Sequence, residues 1–246
     1  MDTRVFEKTY LVGAGETDPS GYCRPSSLQG FLQDAATVHA DILGVSREAL
    51  MRDTGLYWVM VRNWYALSLP LRGGETVTVR TWHRGARGAQ LYRDFDIEAD
   101  GVQVGEAVTS WALVDRDTRR LARPSAIPAL ENSKAPEKVK AVLLGKLPSA
   151  SGVSWVEQRR AVYSDLDVNN HVNNVRYTDY ICDALRLENR TGVWLTSLQV
   201  GFLAQVNAGE TLQLYTGSLP DGRLMVCGRD DGERVRFEGA ARLSAI

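Results

Sequence analysis

Residues 165–184 read DLDVNNHVNNVRYTDYICDA, and residues 16–35 read ETDPSGYCRPSSLQGFLQDA. A shift of 149 residues superimposes the two segments and brings Asp18 onto Asp167. Each copy is an aspartate-containing loop followed by apolar residues at the three- and four-residue spacing of an amphipathic helix. The chain therefore contains an internal repeat, and the repeat decides its architecture.

A second pair of segments extends the repeat along the chain. The segment RGGETVTVRTW at 72–82 matches NAGETLQLYTG at 207–217, with an offset of 135 residues. Alternating apolar and β-branched residues predict strands in both halves. We predict them near 5–14, 57–68, 75–84, 90–98 and 103–115, and near 155–163, 193–203, 210–218, 223–229 and 234–243. Each half thus reads strand, loop, helix and then several strands.

The two helices are predicted at 26–43 and at about 173–188. Their spacing predicts that they bury Leu28, Phe31, Leu32, Ala35, His39 and Ile42 in the first, and Val175, Thr178, Ile181 and Leu185 in the second. Residues 116–152 are rich in Pro, Ser, Lys and Ala, which indicates a linker with a short helical piece near 134–144. Each half therefore contains one long helix wrapped by four or five antiparallel strands, which is an α+β arrangement. The two copies would pair into a pseudo-dimer.

The composition excludes several classes of protein. Of the 246 residues, 44% are hydrophobic, and 29 Lys and Arg balance 30 Asp and Glu, so no global charge draws the chain to nucleic acid or to a membrane. No run of about 18 apolar residues occurs, so we expect no transmembrane helix. The charged N-terminus lacks the apolar core of a signal peptide. Three separated cysteines with no CxxC pair predict free thiols in a reducing cytoplasm.

The segment 165–174 is polar at seven of its ten positions, although it lies between an apolar strand and a helix. One interpretation is that its Asn and Asp side chains only cap the helix. A calcium loop is rejected, because Asn170 stands where glycine is needed and Arg176 where a glutamate should chelate. Zinc is disfavoured, because one histidine without a nearby cysteine leaves too few ligands.

Acyl-transfer chemistry fits this segment better. Asp167 could attack a carbonyl carbon or activate a water, Asn169 could orient that group, and His171 could bind the carbonyl or carry a proton. The N–H groups of the following helix would stabilise a carbonyl oxygen that becomes negative. The first copy has Ser20 and Tyr22 in place of the amide and the imidazole, so the sequence predicts one catalytic half and one half free to bind a substrate tail.

DLDVNNHVNN closely resembles the active-site segment of the acyl-acyl carrier protein thioesterases. The resemblance continues through ETDPSG, LQDAATVHADILG, GGETVTVRTWHRG, YRDFDI, TSWALVD and RRLARP in the first half. The family fold is a tandem hotdog, in which a long helix is wrapped by an antiparallel sheet, twice. The resemblance implies an acyl-binding N-terminal hotdog domain at 1–125, a linker at 126–152 and a catalytic C-terminal hotdog domain at 153–246.

The resemblance also implies the site residues. Asp167, Asn169 and His171 would be the catalytic set. Alignment through VGFLAQVNAGE places Gln205 at the family's acidic position and Val206 at the cysteine of plant members. A glutamine can hold a water but cannot act as a base, so Asp167 becomes the expected nucleophile or base.

The implied reaction is hydrolysis of a fatty acyl thioester, which releases the fatty acid and the carrier's phosphopantetheine thiol and terminates fatty-acid synthesis. No metal or bound cofactor is expected. The partner would be an acidic acyl carrier protein, steered by a basic surface drawn from Arg84, Arg87, Arg119, Arg120, Arg159 and Arg160. His83 lies at a strand end beside Arg84 and Arg87 and is expected to be exposed. His39 is expected to be a core or interface histidine whose hydrogen bonds are satisfied.

Several alternatives stay open at this stage. The same fold could hydrolyse acyl-coenzyme A, could bind acyl chains without turnover, or, with weaker support, could be a dehydratase. Leu28, Phe31, Leu32 and Trp58 could line the acyl tunnel or could be plain core. No nucleic-acid or membrane partner is expected, and a homodimer of the tandem unit is compatible with the sequence.

Overall fold

A computed structural model describes residues 3–135 and 144–246. The first half contains β1 (Val5–Leu11), α1 (Pro25–Ile42), α2 (Arg47–Thr54), β2 (Leu56–Leu67), β3 (Thr76–Arg87), β4 (Gln90–Ala99), β5 (Val102–Asp115), β6 (Leu121–Ala122) and α3 (Pro128–Asn132). The second half contains β7 (Ser151–Arg160), α4 (Arg176–Ala184), β8 (Val193–Phe202), β9 (Thr211–Ser218), β10 (Leu224–Arg229) and β11 (Val235–Ala245). Short 3-10 turns lie at Ala14–Glu16, Pro124–Ala126, Tyr163–Asp165 and Leu187–Asn189.

One continuous antiparallel sheet joins the two halves. Its strand order is β1-β3-β4-β5-β2-β8-β11-β10-β9-β7, with β6 on the side of β5. The order reads the same from either edge once β1 to β5 are matched with β7 to β11, so the repeat is also a repeat in space. The α+β prediction is confirmed, and each of the ten predicted strands is found among the described residues.

Helix α1 packs against β1 and β3 of the first half of the sheet. Its buried side chains include Leu28, Leu32, Ala35 and His39, as the spacing predicts. The prediction is wrong for Ile42, which is 50% exposed because the helix ends there. Phe31 is only partly buried and stacks on Tyr10 with ring centroids 4.5 Å apart.

Helix α4 is shorter than the predicted 173–188. Asn173 caps it, because its side-chain Oδ1 accepts the Val175 N–H at 3.0 Å and its carbonyl accepts the Arg176 N–H at 2.9 Å. At the other end, Arg186 has φ +54, and this left-handed backbone stops the helix.

The buried face of α4 also differs from the prediction. Thr178, Ile181 and Leu185 are buried as expected, but Val175 is only partly buried. Tyr177 and Tyr180, which the spacing did not assign to the core, pack edge-on and tilted against the ring of Phe237.

Helix α2 was not predicted. Leu50 is its only buried residue, so it offers no apolar periodicity to read. The available signals were its ends: Ser46 caps the Ala49 N–H at 3.4 Å, and Gly55 follows with φ +70. The helical piece expected near 134–144 falls largely on 136–143, outside the described residues, whereas the observed α3 ends at Asn132.

The two halves meet at equivalent positions of the repeat. The Thr178 hydroxyl of α4 donates to Gln29 Oε1 of α1 at 2.7 Å, and these residues are 149 apart. The Gln29 amide also exchanges hydrogen bonds of 3.0 and 3.2 Å with the buried Asn63. In the sheet, β2 pairs with β8. A contact between equivalent positions is what a twofold axis produces, so a pseudo-twofold axis runs between the helices.

Candidate active site

The two loops of the repeat have the same pattern of backbone hydrogen bonds, and this pattern shows how the candidate site is built. The Asp167 N–H donates to the His171 carbonyl at 2.9 Å, and the Asn170 N–H donates to the Asp167 carbonyl at 3.0 Å. In the first copy, Asp18, Gly21 and Tyr22 make the same two bonds. Asn170 has φ +60 where the first copy has glycine, which is a conformation that asparagine tolerates better than most residues. The repeated turn thus sets the direction of the side chains between its ends.

The Asp167 carboxylate is held by Asn169. Its Oδ1 accepts the Asn169 backbone N–H at 2.8 Å, and its Oδ2 accepts the Asn169 side-chain amide at 3.1 Å. The equivalent Asp18 accepts backbone N–H groups of Ser20 at 2.8 Å and Tyr22 at 3.0 Å. Both aspartates therefore stabilise their turn, and Asp167 additionally orients a side-chain amide. The capping interpretation of the loop is correct in part, since Asn173 is the residue that caps α4.

The connection between β8 and β9 lies against this turn. The backbone of His171 bridges to Asn207, and the Val172 N–H donates to the Val206 carbonyl at 2.8 Å. Val206 is fully buried, whereas the neighbouring Gln205 is exposed. The structure therefore brings the residue at the aligned acidic position to the loop that carries the histidine.

A cavity of about 600 Å³ gathers all four site residues that the sequence predicts. Asp167, Asn169, His171 and Gln205 line it together with Trp58 of the first half. We call it the His171 cavity. Its further walls come from both halves: Arg47, Met51, Tyr57, Val59, Met60, Arg116, Arg119, Val168, Val172, Asn174, Tyr177, Phe202, Leu203 and Ala204. The candidate site is thus an inter-half site, a property that no single segment of the sequence reveals.

A second cavity of about 890 Å³ adjoins the first. We call it the Trp111 cavity, and it extends into the first half between α1, α2 and the sheet. The two cavities share Arg47, Trp58, Met60, Asp167, Val168, Asn169 and Asn174 as walls. Apolar side chains such as Val45, Leu91 and Leu130 line the part within the first half. The shared residues place the two cavities side by side, with Asp167 and Asn169 at their junction.

The predicted tunnel residues divide into two groups. Trp58 lines both cavities, with its indole N–H bound to the Val45 carbonyl at 2.8 Å. Leu28 and Leu32 belong to the main core cluster, against which Phe31 packs, and none of these three borders either cavity. Helix α1 presents its small residues Ala36 and Ala40 to the Trp111 cavity instead.

A smaller cavity occupies the equivalent position in the first half. Its volume is about 60 Å³, and Asp18, Ser20, Tyr22 and Leu28 line part of it. These residues are the repeat counterparts of Asp167, Asn169, His171 and Tyr177, all of which line the His171 cavity. The repeat therefore has one open cleft and one nearly closed cleft.

Two of the six arginines predicted to form a basic surface are engaged in ion pairs. Arg84 has a side chain only 7% exposed and forms an ion pair with the fully buried Asp94, with Nε 2.9 Å from Oδ2. Arg159 pairs with Asp183 at 3.1 Å and covers the ring of Tyr180. Of the six predicted arginines, Arg119 is the one that lines the His171 cavity.

The two remaining histidines lie inside the first half. The prediction that His83 is exposed is wrong: it is 5% exposed and lines the Trp111 cavity, next to a register shift in β3 between His83 and Gly85. His39 is fully buried, as the core interpretation requires. Its Nε2 lies 2.8 Å from the Thr3 carbonyl and its Nδ1 lies 2.7 Å from the Arg93 guanidinium. Burial, with the Arg93 charge second, lowers the pKa of His39 to about 4.

This histidine makes stability depend on pH. The unfolded chain binds a proton on His39 below a pKa of about 6.5, whereas the folded chain does not until about pH 4. Stability is therefore lost as the pH falls from 6.5 towards 4, by up to about 3 kcal/mol from this group. We expect His39→Gln to lack this part of the pH dependence in urea unfolding between pH 4 and 7. Parallel stability curves for the two proteins would contradict the assignment.

Within residues 3–135 and 144–246, no group of three or more His, Cys, Asp and Glu side chains is arranged to hold a metal ion. No helix in the same ranges is long and apolar enough to cross a membrane. The three cysteines, Cys23, Cys182 and Cys227, are all free thiols. Burial raises the pKa of Cys23 to about 12 and also raises that of Cys182, so both thiols stay protonated near neutral pH.

Comparison with known proteins agrees with this geometry. The family model of the acyl-ACP thioesterase N-terminal domain matches residues 3–126, and that of the acyl-ACP thioesterase C-terminal domain matches residues 150–235. The chain therefore belongs to the acyl-ACP thioesterase family, which confirms the resemblance carried by the 165–174 segment.

Individual relatives are distant in sequence. A chloroplastic palmitoyl-acyl carrier protein thioesterase of Cuphea hookeriana is 26% identical over 240 residues, covering 90% of this chain and 57% of the relative. A chloroplastic oleoyl-acyl carrier protein thioesterase of Arabidopsis thaliana is 25% identical over 211 residues, covering 76% of this chain and 56% of the relative. The chain thus spans a little over half the length of these relatives.

Solved structures match the fold along nearly the whole chain. An acyl-ACP thioesterase from Bacteroides thetaiotaomicron superimposes with a TM-score of 0.90 at 21% identity, covering 99% of this chain and 100% of that one. A 12:0-ACP thioesterase from Umbellularia californica superimposes with a TM-score of 0.83 at 21% identity, covering 98% of both chains. The tandem hotdog prediction is therefore confirmed as the fold.

Proposed function

We propose that this protein hydrolyses the thioester bond of fatty acyl-acyl carrier protein, releasing a free fatty acid and terminating fatty-acid synthesis. The observation that carries the proposal is the junction of the two cavities. Asp167 and Asn169 stand where a cavity lined by His171 meets a larger one lined by apolar side chains of the other half. A thioester has this shape, with a polar reacting group joined to a long apolar chain.

The side chains at the junction support a division of roles. One amide hydrogen of Asn169 is used by Asp167 Oδ2, which leaves the second free to donate to the thioester oxygen as it becomes negative. The sequence assigned that role to the N–H groups of α4. We assign it to the Asn169 amide, because the N–H groups of Val175, Arg176 and Thr178 already donate hydrogen bonds at the start of the helix.

Asp167 and His171 would carry the bond-making steps. As a base, Asp167 would take a proton from a water whose oxygen attacks the carbonyl carbon. As a nucleophile, it would form an acyl anhydride that water then hydrolyses. In both routes the carbon–sulfur bond breaks and His171 gives a proton to the departing thiolate. Gln205 would hold the water by hydrogen bonds from the rim of the cavity.

The test is release of free thiol from purified protein supplied with C8 to C18 acyl-carrier-protein thioesters. We expect turnover above the protein-free rate, with a preference for some chain lengths over others. Matched acyl-coenzyme A substrates distinguish a coenzyme A thioesterase, which would turn these over faster than the carrier-protein forms. Tight acyl binding without thiol release would overturn the enzyme proposal and favour an acyl-binding protein.

Two further features belong to the proposal. The reaction needs no metal or bound cofactor, since the substrate itself brings the phosphopantetheine arm. A reducing, cytoplasmic compartment is supported by three free thiols, of which one is buried and two are partly buried.

A further inference from the structure

Three arginines stand on the first-half side of the His171 cavity. Arg47 begins α2, and Arg116 and Arg119 lie in the turn that follows β5. We call these three side chains the arginine rim. All three are exposed, and they belong to the opposite half from His171. Asp167 is the one carboxylate among the described residues that line this cavity, so the rim gives its wall a positive charge.

The backbone fixes the positions of the rim. The Arg116 N–H donates to the Gly55 carbonyl at 3.0 Å, which ties the turn to the end of α2. Asp115 Oδ1 accepts the N–H groups of Asp117 and Thr118 at 3.1 and 2.7 Å. Arg119 has φ +58, a left-handed conformation that costs energy for a residue with a long side chain. The turn therefore holds an arginine where glycine would be less strained.

The rim is only partly neutralised. Arg116 pairs with Asp117 at 3.0 Å. Within residues 3–135 and 144–246, neither Arg47 nor Arg119 has a carboxylate within 4.0 Å. The Arg119 guanidinium donates from Nη1 to the Tyr57 hydroxyl at 3.1 Å, which orients it along the cavity wall and leaves most of its donors open.

We propose that the arginine rim binds the phosphate of the substrate's phosphopantetheine arm. This inference rests on the proposed thioesterase function and adds the element that recognises the carrier. With the thioester at His171 and the acyl chain in the Trp111 cavity, the arm occupies the His171 cavity, whose first-half wall carries the rim. Guanidinium groups bind phosphate through paired, charge-assisted hydrogen bonds. A carrier-protein phosphodiester and the phosphates of coenzyme A both offer this chemistry.

The experiment compares substrates with and without phosphate. Kinetics are measured for acyl-carrier protein, acyl-coenzyme A and acyl-pantetheine with wild type, Arg116→Ala, Arg119→Gly and the double variant, because these two arginines line the His171 cavity and not the Trp111 cavity. We expect each single change to lower kcat/KM for acyl-carrier protein about tenfold, mainly through KM. Values for acyl-pantetheine should stay unchanged. A larger loss with the carrier protein than with coenzyme A would identify the former as the partner for which the rim is built.

The variants are chosen to keep the fold. Glycine accepts a positive φ without strain, so Arg119→Gly should not weaken the turn. Arg52→Ala is the matched control, because Arg52 lies on the same helix as Arg47, pairs with Asp53 and borders neither cavity. It should leave all three substrates unaffected. An equal loss for acyl-pantetheine in the rim variants would show a structural role instead and overturn the proposal.

A binding measurement gives a second readout that does not need turnover. We expect calorimetry to show tighter binding of 4′-phosphopantetheine than of pantetheine to wild type, and no difference in the double variant. Equal affinities in wild type would overturn the phosphate site. This readout does not involve thioester cleavage, so it tests phosphate binding at the rim independently of catalysis. The acyl-pantetheine rate of wild type tests the proposed hydrolase directly.

Discussion

Asp167→Asn is expected to lower the rate of thiol release about a thousandfold while the protein stays folded. The substitution keeps an oxygen for the Asn169 N–H, which Asp167 Oδ1 accepts at 2.8 Å, but removes the negative charge. A neutral amide can neither take a proton from water nor attack a carbonyl carbon, and loss of a general base typically costs about 10² to 10⁴ in rate. The measurement is kcat for the best acyl-carrier-protein substrate.

The repeat supplies a matched control for this prediction. Asp18 holds the first copy of the turn through the same backbone bonds. Asp18→Asn should therefore reproduce the structural cost of the change, about 1 kcal/mol of unfolding free energy, with kcat within about twofold of wild type. Similar activity losses in the two variants would mean that Asp167 acts only on the turn, and would remove it from the proposed chemistry.

Ala40→Phe is expected to shift the acyl-chain preference strongly towards short chains. Ala40 of α1 lines the Trp111 cavity and packs beside the apolar cluster of Val45, Leu91 and Leu130. A phenyl ring at this position would take the space of several methylene groups. Each buried methylene contributes about 0.8 kcal/mol, so displacing about four lowers kcat/KM for C16 relative to C8 by about two hundredfold. A panel of C8 to C18 thioesters measures this ratio.

The short substrate is the internal control in this experiment. An Ala40→Phe protein that keeps its C8 rate has kept its fold and its reacting groups. The cavity assignment would be contradicted by a uniform loss over all chain lengths, or by an unchanged C16 to C8 ratio. Either result would mean that the chain lies elsewhere in the molecule.

The sequence was sufficient to predict the strands and the first helix. Strand residues alternate between the helix-facing side and the outer side of the sheet, and this period of two is visible without a structure. The helix spacing placed α1 within one residue at each end. The candidate residues Asp167, Asn169 and His171 could be selected because a run of polar residues between a strand and a helix needs an explanation.

Other features depend on contacts that local sequence does not encode. Helix α2 follows from its cap and its terminal glycine, and its single buried residue gave no periodic signal. His83 is an exception: it lies on the same face of β3 as the buried Val77, Val79 and Thr81, so the alternation itself could have indicated its burial. The arginine rim forms only when the turn after β5 meets the end of α2. Of the six arginines selected from the sequence, Arg119 alone belongs to the rim.

The two unequal clefts bear on how such a molecule can change over evolutionary time. In a symmetric dimer of single copies, every substitution appears at both sites, so a mutation that widens one acyl pocket also alters the other. Here the copies share one chain and meet at equivalent positions, Gln29 and Thr178. One cleft has a volume of about 60 Å³ and the other a volume of about 600 Å³. Each half can therefore mutate independently. Substitutions in the first half can change the chain length that is accepted, while the second half keeps the residues proposed for the reaction.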